Sequence, residues 1–346
     1  MAMSARRPWI GMMLLLLAGL SLGARWSRGM LWGVGLEGNP LSDAQLNQAA
    51  EETGVRPGLV VFFLQWPADP GADNFPVASL DAIARQQALP CITWEPMHYQ
   101  GGQETMIPAQ QIVGGDYDRY LAAFARQARE WGRPVIIRFA HEMNTARYHW
   151  GTSRQEYGPA SPAAYVAMFR HVVRVFRREG AHNVLWAFCP NAESIPHPLY
   201  DKGAGWNRAA AYFPGRGYVD VLGMDGYNWG TTRCQATHGW KSRWQSFAEI
   251  FSPLRDELTA LAPDLPIVVF ETASATEGGD KAAWLAQARQ QAQLWGLAGI
   301  SWFQVNKEND WRLQQGVGKE VVPLLGRDGV SAAQWLAGGL PGRGSQ

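Results

Sequence analysis

One plan repeats eight times along this chain. A short apolar, β-branched run ends in polar or aromatic residues, and an amphipathic stretch then leads to the next run. The runs are Leu31–Leu36, Leu59–Gln65, Pro90–Trp94, Val135–Phe139, Val184–Phe188, Val219–Met224, Ile267–Phe270 and Ile300–Val305. Strands alternating with helices imply a mostly parallel sheet, and eight such units favour closure into a (β/α)₈ barrel. The structural alternative is an open doubly wound sheet, but no GxGxxG follows the first run to support a dinucleotide site.

The connecting segments carry their own helix signals. Ser161 is placed to cap a helix with Pro162 at its first position, and Tyr165, Met168, Phe169, Val172, Val173 and Phe176 mark one face before Gly180. Tyr117, Tyr120, Leu121, Phe124, Ala128 and Trp131 share another face, stopped at Gly132. Trp240–Leu261 and Asp280–Trp295 are further helical segments, whereas the stretch around Trp206–Tyr212 supports only a short helix. No composition break divides the chain.

The first residues stand apart. Arg6 and Arg7 precede an apolar stretch from Trp9 to Leu22, followed by Gly23-Ala24-Arg25. That is a signal-peptide pattern, shorter than a typical membrane span of about 20 residues. We therefore assign 1–25 to a signal peptide or N-terminal membrane anchor and 26–346 to one catalytic barrel. The catalytic part is expected outside the cytoplasm: secreted, periplasmic or held to a membrane by its N-terminal segment.

Charge excludes some partners. The 346 residues carry a formal net charge of +1, so no basic field exists to hold nucleic acid. Seventeen tryptophans suit a neutral substrate with apolar faces, such as a sugar, although most Trp side chains in any fold pack internally. The three cysteines, Cys91, Cys189 and Cys234, have no CxxC spacing and suggest neither a disulfide scaffold nor a zinc site. His141-Glu142 does not extend to HExxH, and no metal or cofactor is implied.

In a barrel of this kind, chemistry sits at the C-terminal ends of the strands. Those ends read Gln65-Trp66, Trp94-Glu95-Pro96, Arg138 through Asn144, Pro190-Asn191, Asp225 through Trp229, Glu271-Thr272-Ala273 and Asn306-Lys307-Glu308. A carboxylate directly after an apolar strand costs several kcal/mol to desolvate unless it is paired or at a site. Glu142 and Glu271 end the fourth and seventh runs, on opposite sides of the ring. Two carboxyls so placed suit a retaining glycosidase, which needs an acid and a nucleophile about 5–5.5 Å apart.

Arg138-Phe139-Ala140-His141-Glu142-Met143-Asn144, with Trp150 following, resembles the acid/base signature of glycoside hydrolase family 26, best known for β-mannanases. Further resemblances follow in order: Trp186…Pro190-Asn191, Tyr212-Phe213-Pro214-Gly215…Asp225-Gly226-Tyr227-Asn228, Phe270-Glu271-Thr272-Ala273 and Asn306-Lys307-Glu308…Asp310-Trp311-Arg312. The resemblance implies Glu142 as acid/base and Glu271 as nucleophile. It implies His141 ordering the glycone sugar, Tyr227 with Asp225 steadying the nucleophile, and Asn144 bonding a sugar hydroxyl. Trp302, Trp311 and Arg312 would line the glycone side, and Trp150, Trp94 and Glu95 are further candidate sugar contacts, with Trp94 reading equally as mouth packing and Glu95 equally as a structural partner of an arginine.

There are departures. Family mannanases usually carry Gly after the Asn and then an aromatic pair, where this chain has Thr145-Ala146-Arg147-Tyr148-His149-Trp150. Trp94-Glu95-Pro96 is closer to the family's mixed-linkage β-glucan members. The expected substrate is a polysaccharide or oligosaccharide, β-1,4-mannan first, with β-1,3-1,4-glucan or an exopolysaccharide as alternatives. Tyr148, His149 and His98 read as rim or packing residues. A non-catalytic glycan-binding barrel has no need of both glutamates, and a transglycosylase would be told apart by its products.

Overall fold

The computed structural model describes residues 29–313 and 330–338, so the N-terminal segment assigned to export lies outside the described residues. Eight parallel strands form a closed barrel: β1 (Leu31–Gly35), β2 (Leu59–Gln65), β3 (Leu89–Glu95), β6 (Val135–Phe139), β7 (Val184–Phe188), β8 (Val221–Asn228), β9 (Ile267–Ser274) and β10 (Gly299–Phe303). The ring closes where β1 pairs with β10, Leu31 opposite Gly299. Between β3 and β6 the chain adds an antiparallel hairpin, β4 (Met97–Gln100) and β5 (Gln103–Met106), which the strand pattern had not shown.

Around the ring lie α1 (Asp43–Thr53), α2 (Val77–Arg85), α3 (Ala109–Gly114), α4 (Asp118–Trp131), α5 (Ser161–Arg178), α6 (Gln235–His238), α7 (Phe247–Leu261), α8 (Lys281–Leu294) and α9 (Ala332–Ala337). Among the described residues no helix is long and apolar enough to cross a membrane. The weak segment before β8 holds only a 3₁₀ turn, Ala209–Tyr212. Two helix starts differ from expectation. Ser161 is the first residue of α5 and not its cap, because its Oγ accepts from Gly158 N at 2.9 Å. The segment from Trp240 becomes helical only at Phe247, where Ser246 and Glu249 form a reciprocal cap. Before that point its backbone is bonded to the loop after β8, as in Gln245 N to Asn228 Oδ1 at 2.9 Å.

Alternation along the strands sorts the side chains into two cores. One lies between barrel and helices, and the other fills the barrel with Leu31, Val61, Cys91, Ile136, Val221, Phe270 and their neighbours. Trp335 of α9 joins this interior core and donates Nε1 to Ala298 O at 3.0 Å, covering the end of the barrel remote from the site. Gly223 of β8 is required inside the barrel: a Cβ there would lie 2.6 Å from the Cys189 sulfur and 2.8 Å from the Phe270 ring. All three cysteines are free, Cys91 and Cys189 buried and Cys234 exposed.

Candidate active site

Strict alternation along β9 turns Phe270 into the barrel and Glu271 away from it. The strand does not alternate there. Its pairing with β8 shifts between Met224 and Asp225, and its pairing with β10 shifts between Ile300 and Trp302. This irregularity inserts a residue, so that Phe270 stays in the interior core and the Glu271 carboxyl also reaches inward. Tyr227 then donates its hydroxyl to Glu271 Oε2 at 2.6 Å.

Arg138 on β6 binds the other oxygen of Glu271 through Nη2. Its Nη1 donates to Asp225 Oδ2 at 2.5 Å, and its Nε and Nη2 reach Thr93 Oγ1 at 3.0 and 2.6 Å. Thr93 and Arg138 face each other in register on β3 and β6. Arg138 and Asp225 are fully buried. A lone buried guanidinium is prohibitively costly, so the two carboxylates and the hydroxyl are the condition for its presence. Their attraction outweighs the burial that opposes its charge and holds its pKa well above the usual arginine range. The geometry fixes both oxygens of Glu271 with hydrogen-bond donors, an arrangement suited to a carboxylate.

Glu142 lies three residues beyond β6, in a strained turn. Ala140 and Glu142 have φ of 48° and 50°, the left-handed region that non-glycine residues seldom occupy, at a cost of about 1–3 kcal/mol each. The turn is held by Glu142 N to Cys189 O at 2.8 Å and by Thr145 N and Oγ1 to Glu142 O, both at 3.0 Å. Asn191, after β7, donates Nδ2 to Glu142 Oε1 at 2.9 Å. Burial, and next the charge of Glu271, push the Glu142 carboxyl up to about 7. One carboxyl is thereby raised into the neutral range beside another whose two oxygens are both held by hydrogen-bond donors.

The rim is aromatic and polar. His141 is buried, and burial with the Arg138 charge holds it well below the usual imidazole range, so it is neutral. Its Nδ1 has no partner among the described residues. Tyr148 packs against His141 at 4.6 Å with the rings tilted by 49°, and lies parallel to Trp150 at 5.0 Å and 7°. Glu95 ends β3, faces inward and accepts from Gln65 Nε2 at 2.5 Å. Burial pushes its carboxyl up to about 7, against the lowering effect of Gln65.

The residues singled out from sequence fall into three groups. Glu142, Glu271, His141, Tyr227 and Glu95 converge at the C-terminal mouth of the barrel. Asp225, Trp150 and Trp311 stand behind them. Asp225 binds Arg138, Trp150 donates Nε1 to His141 O at 2.5 Å, and Trp311 packs 4.9 Å from the Tyr227 ring. The third group needs correcting. Trp94 has no exposed surface, because it points outward into an aromatic cluster with Trp66, Tyr120 and Phe124, and donates Nε1 to Tyr120 Oη at 3.2 Å. Trp302 is likewise fully buried, packed on Trp284 and bonded to Trp311 O at 2.9 Å. Neither can stack on a sugar.

Asn144 is corrected too. Both of its amide hydrogens go to Asn191 O and Ser194 Oγ at 2.9 Å, and its Oδ1 accepts from Asn191 N at 2.8 Å. It holds the loop that presents Asn191 to Glu142, and leaves no donor for a sugar. Arg312 is paired with Asp310 at 2.8 and 2.9 Å, on a loop pinned by Lys281 Nζ to the carbonyls of Asp310, Trp311 and Arg312. Arg138, Asn191, Thr93 and Gln65 were absent from the sequence-derived set. Each is a polar residue at the end of an apolar run, which is the same signal that drew attention to Glu95.

Comparison with known proteins agrees with this geometry. Residues 109–241 match the model of glycosyl hydrolase family 26, a span that contains Glu142, Asp225 and Tyr227 and ends before Glu271. Endoglucanase H of Acetivibrio thermocellus is 31% identical over 80% of this chain. A mannan endo-1,4-β-mannosidase of Bifidobacterium adolescentis is 29% identical over 36% of it. The chain spans only 28% and 12% of the lengths of these two relatives. Among solved structures, a family 26 β-mannanase from Bacteroides ovatus aligns with TM-score 0.59 and 18% identity, covering 90% of this chain and 93% of the other. The Bacillus subtilis mannanase BCman aligns with TM-score 0.59 and 16% identity, covering 86% and 87%. At these identities the structural likeness bears on the fold.

Proposed function

The chain belongs to glycosyl hydrolase family 26, and on that premise we propose that it hydrolyses β-glycosidic bonds in a polysaccharide by double displacement. The observation that carries this reading is the pairing of a carboxyl raised to about 7, Glu142, with a second carboxyl, Glu271, bound at both oxygens by Arg138 and Tyr227. In the first step Glu142 transfers its proton to the glycosidic oxygen as the bond to the anomeric carbon breaks. Glu271 attacks that carbon and forms a glycosyl ester. In the second step Glu142, now a carboxylate, takes a proton from water, whose oxygen displaces Glu271. Asn191 occupies Oε1 of Glu142, which leaves Oε2 to carry the proton.

β-1,4-Mannan is the first substrate on this reading, supported by the mannosidase and mannanase relatives. A second reading, a β-1,4-linked glucan including mixed-linkage β-glucan, is favoured by one observation. The endoglucanase aligns with 80% of the chain, whereas the Bifidobacterium mannosidase aligns with 36%. Export is part of the proposal, supported by the Arg6-Arg7 and Trp9–Leu22 pattern. The test is to incubate the protein with mannan, glucomannan, mixed-linkage β-glucan and β-1,3-xylan, with Glu271→Ala as control. Reducing ends released from mannan or glucomannan by the wild type alone are expected. Release by Glu271→Ala at a near-normal rate would remove the nucleophile assignment.

A further inference from the structure

The loop after β6 is where this chain departs from family mannanases, and its residues are built into a single stack. The Arg147 guanidinium lies 4.7 Å above the Tyr148 ring, and that ring lies against both Trp150 and His141. Arg147 also makes a two-pronged bond to Glu104, Nη1 to Oε2 at 2.5 Å and Nη2 to Oε1 at 2.7 Å. Glu104 belongs to β5, so the hairpin inserted after β3 is latched to the loop that carries the acid/base. Three contacts therefore hold one tyrosine ring, and one of them, Arg147, is itself fixed by Glu104.

What they hold is a hydroxyl with no hydrogen-bond partner among the described residues. Tyr148 is half-buried, and burial, followed by the charges of Glu95, Glu142 and Glu271, holds its hydroxyl well above the usual phenol range against the opposing charge of Arg147. Tyr227, when beside a carboxylate, bonds to it directly. Tyr148 bonds to none of the three, while its ring packs 4.6 Å from that of His141, the residue before Glu142. A phenol donor beside the acid/base loop with no protein partner suits a sugar hydroxyl, which accepts from the phenol and donates to a carboxylate. Among the described residues no other group supplies that partner, and a hydroxyl open to solvent can exchange water for a sugar hydroxyl.

We propose that Tyr148 is a substrate-positioning residue, its hydroxyl donating to the sugar whose bond is cleaved, with the Arg147–Glu104 latch holding the ring in place. This rests on the glycosidase reading above and assigns a contact to the same site. Tyr148→Phe keeps the stacked ring and removes only the donor. With an aryl β-glycoside carrying a single sugar, it is expected to lower kcat/KM about tenfold, the value of one hydrogen bond in a site built for it. The unfolding temperature is expected to stay unchanged. Glu104→Gln, which weakens the latch, is expected to lower kcat/KM in the same direction by a smaller factor.

Unchanged kcat/KM for Tyr148→Phe, with the wild type active, would overturn this assignment and leave the glycosidase reading intact. A loss seen with oligosaccharides and absent with the single-sugar substrate would overturn the placement on the reacting sugar. A wild type that cleaves neither the aryl glycosides nor any polymer would overturn both.

Discussion

At the scale of residues, the site is organised around one buried cation. Arg138 stands between Asp225 and Glu271, and Glu142 lies near enough to feel the second of them. The pH dependence follows. Glu142 must be protonated to act as acid, and its pKa is raised to about 7, so kcat/KM is expected to fall as pH rises through about 7. The measurement is kcat/KM against pH for the wild type. Glu142→Ala, assayed on a dinitrophenyl glycoside whose leaving group needs no proton, should lack that alkaline limb; a limb that persists would give the titration to another group. Removing the cation is a different test. Arg138→Met strands two buried carboxylates and is expected to lower stability by about 3–5 kcal/mol in denaturant unfolding. A loss below about 1 kcal/mol would mean that the cluster is not what holds the mouth together. Glu142 and Glu271 were legible because a charge directly after an apolar run is conspicuous. Arg138 lies within the run Val135–Phe139, and its meaning depends on partners 87 and 133 residues away, which one sequence does not pair.

At the scale of elements, all eight strands could be read from apolar runs, and their ends differ by a few residues from those in the fold. Two features escaped. The hairpin is short, mostly exposed, and has no apolar alternation; its one signal is Gly101-Gly102, with φ of 58° and 78°, the pair of positive values that a two-residue hairpin turn demands. The irregularity in β9 leaves no trace in Phe270-Glu271-Thr272, since it arises from register with β8 and β10. Yet it is what turns Glu271 inward. The same crowded layer contains Gly223, and Gly223→Ala would press a methyl group against Cys189 and Phe270. Overpacking of this kind costs about 1–3 kcal/mol. Chemical denaturation should show that loss, together with lower activity, because Phe270 adjoins Glu271, the proposed nucleophile. Wild-type stability and activity in this variant would mean that the barrel interior can relax there.

At the scale of the molecule, the closed ring is what lets residues from five strands meet. β3 brings Thr93 and Glu95, β6 brings Arg138 and the turn to Glu142, β8 brings Asp225 and Tyr227, β9 brings Glu271, and β2 brings Gln65. The sequence pattern was enough for that closure because parallel strands with helical crossovers leave few alternatives. It misjudged Trp94 and Trp302, which lie near the ends of their strands yet belong to the layer between barrel and helices. The central claim is a double displacement through Glu142 and Glu271, and its signature is stereochemical. Proton NMR of the first product released from a β-linked substrate reads the anomeric configuration before mutarotation. Two inversions at one carbon predict the β-anomer; the α-anomer would contradict the nucleophilic role of Glu271 and with it the account of the site.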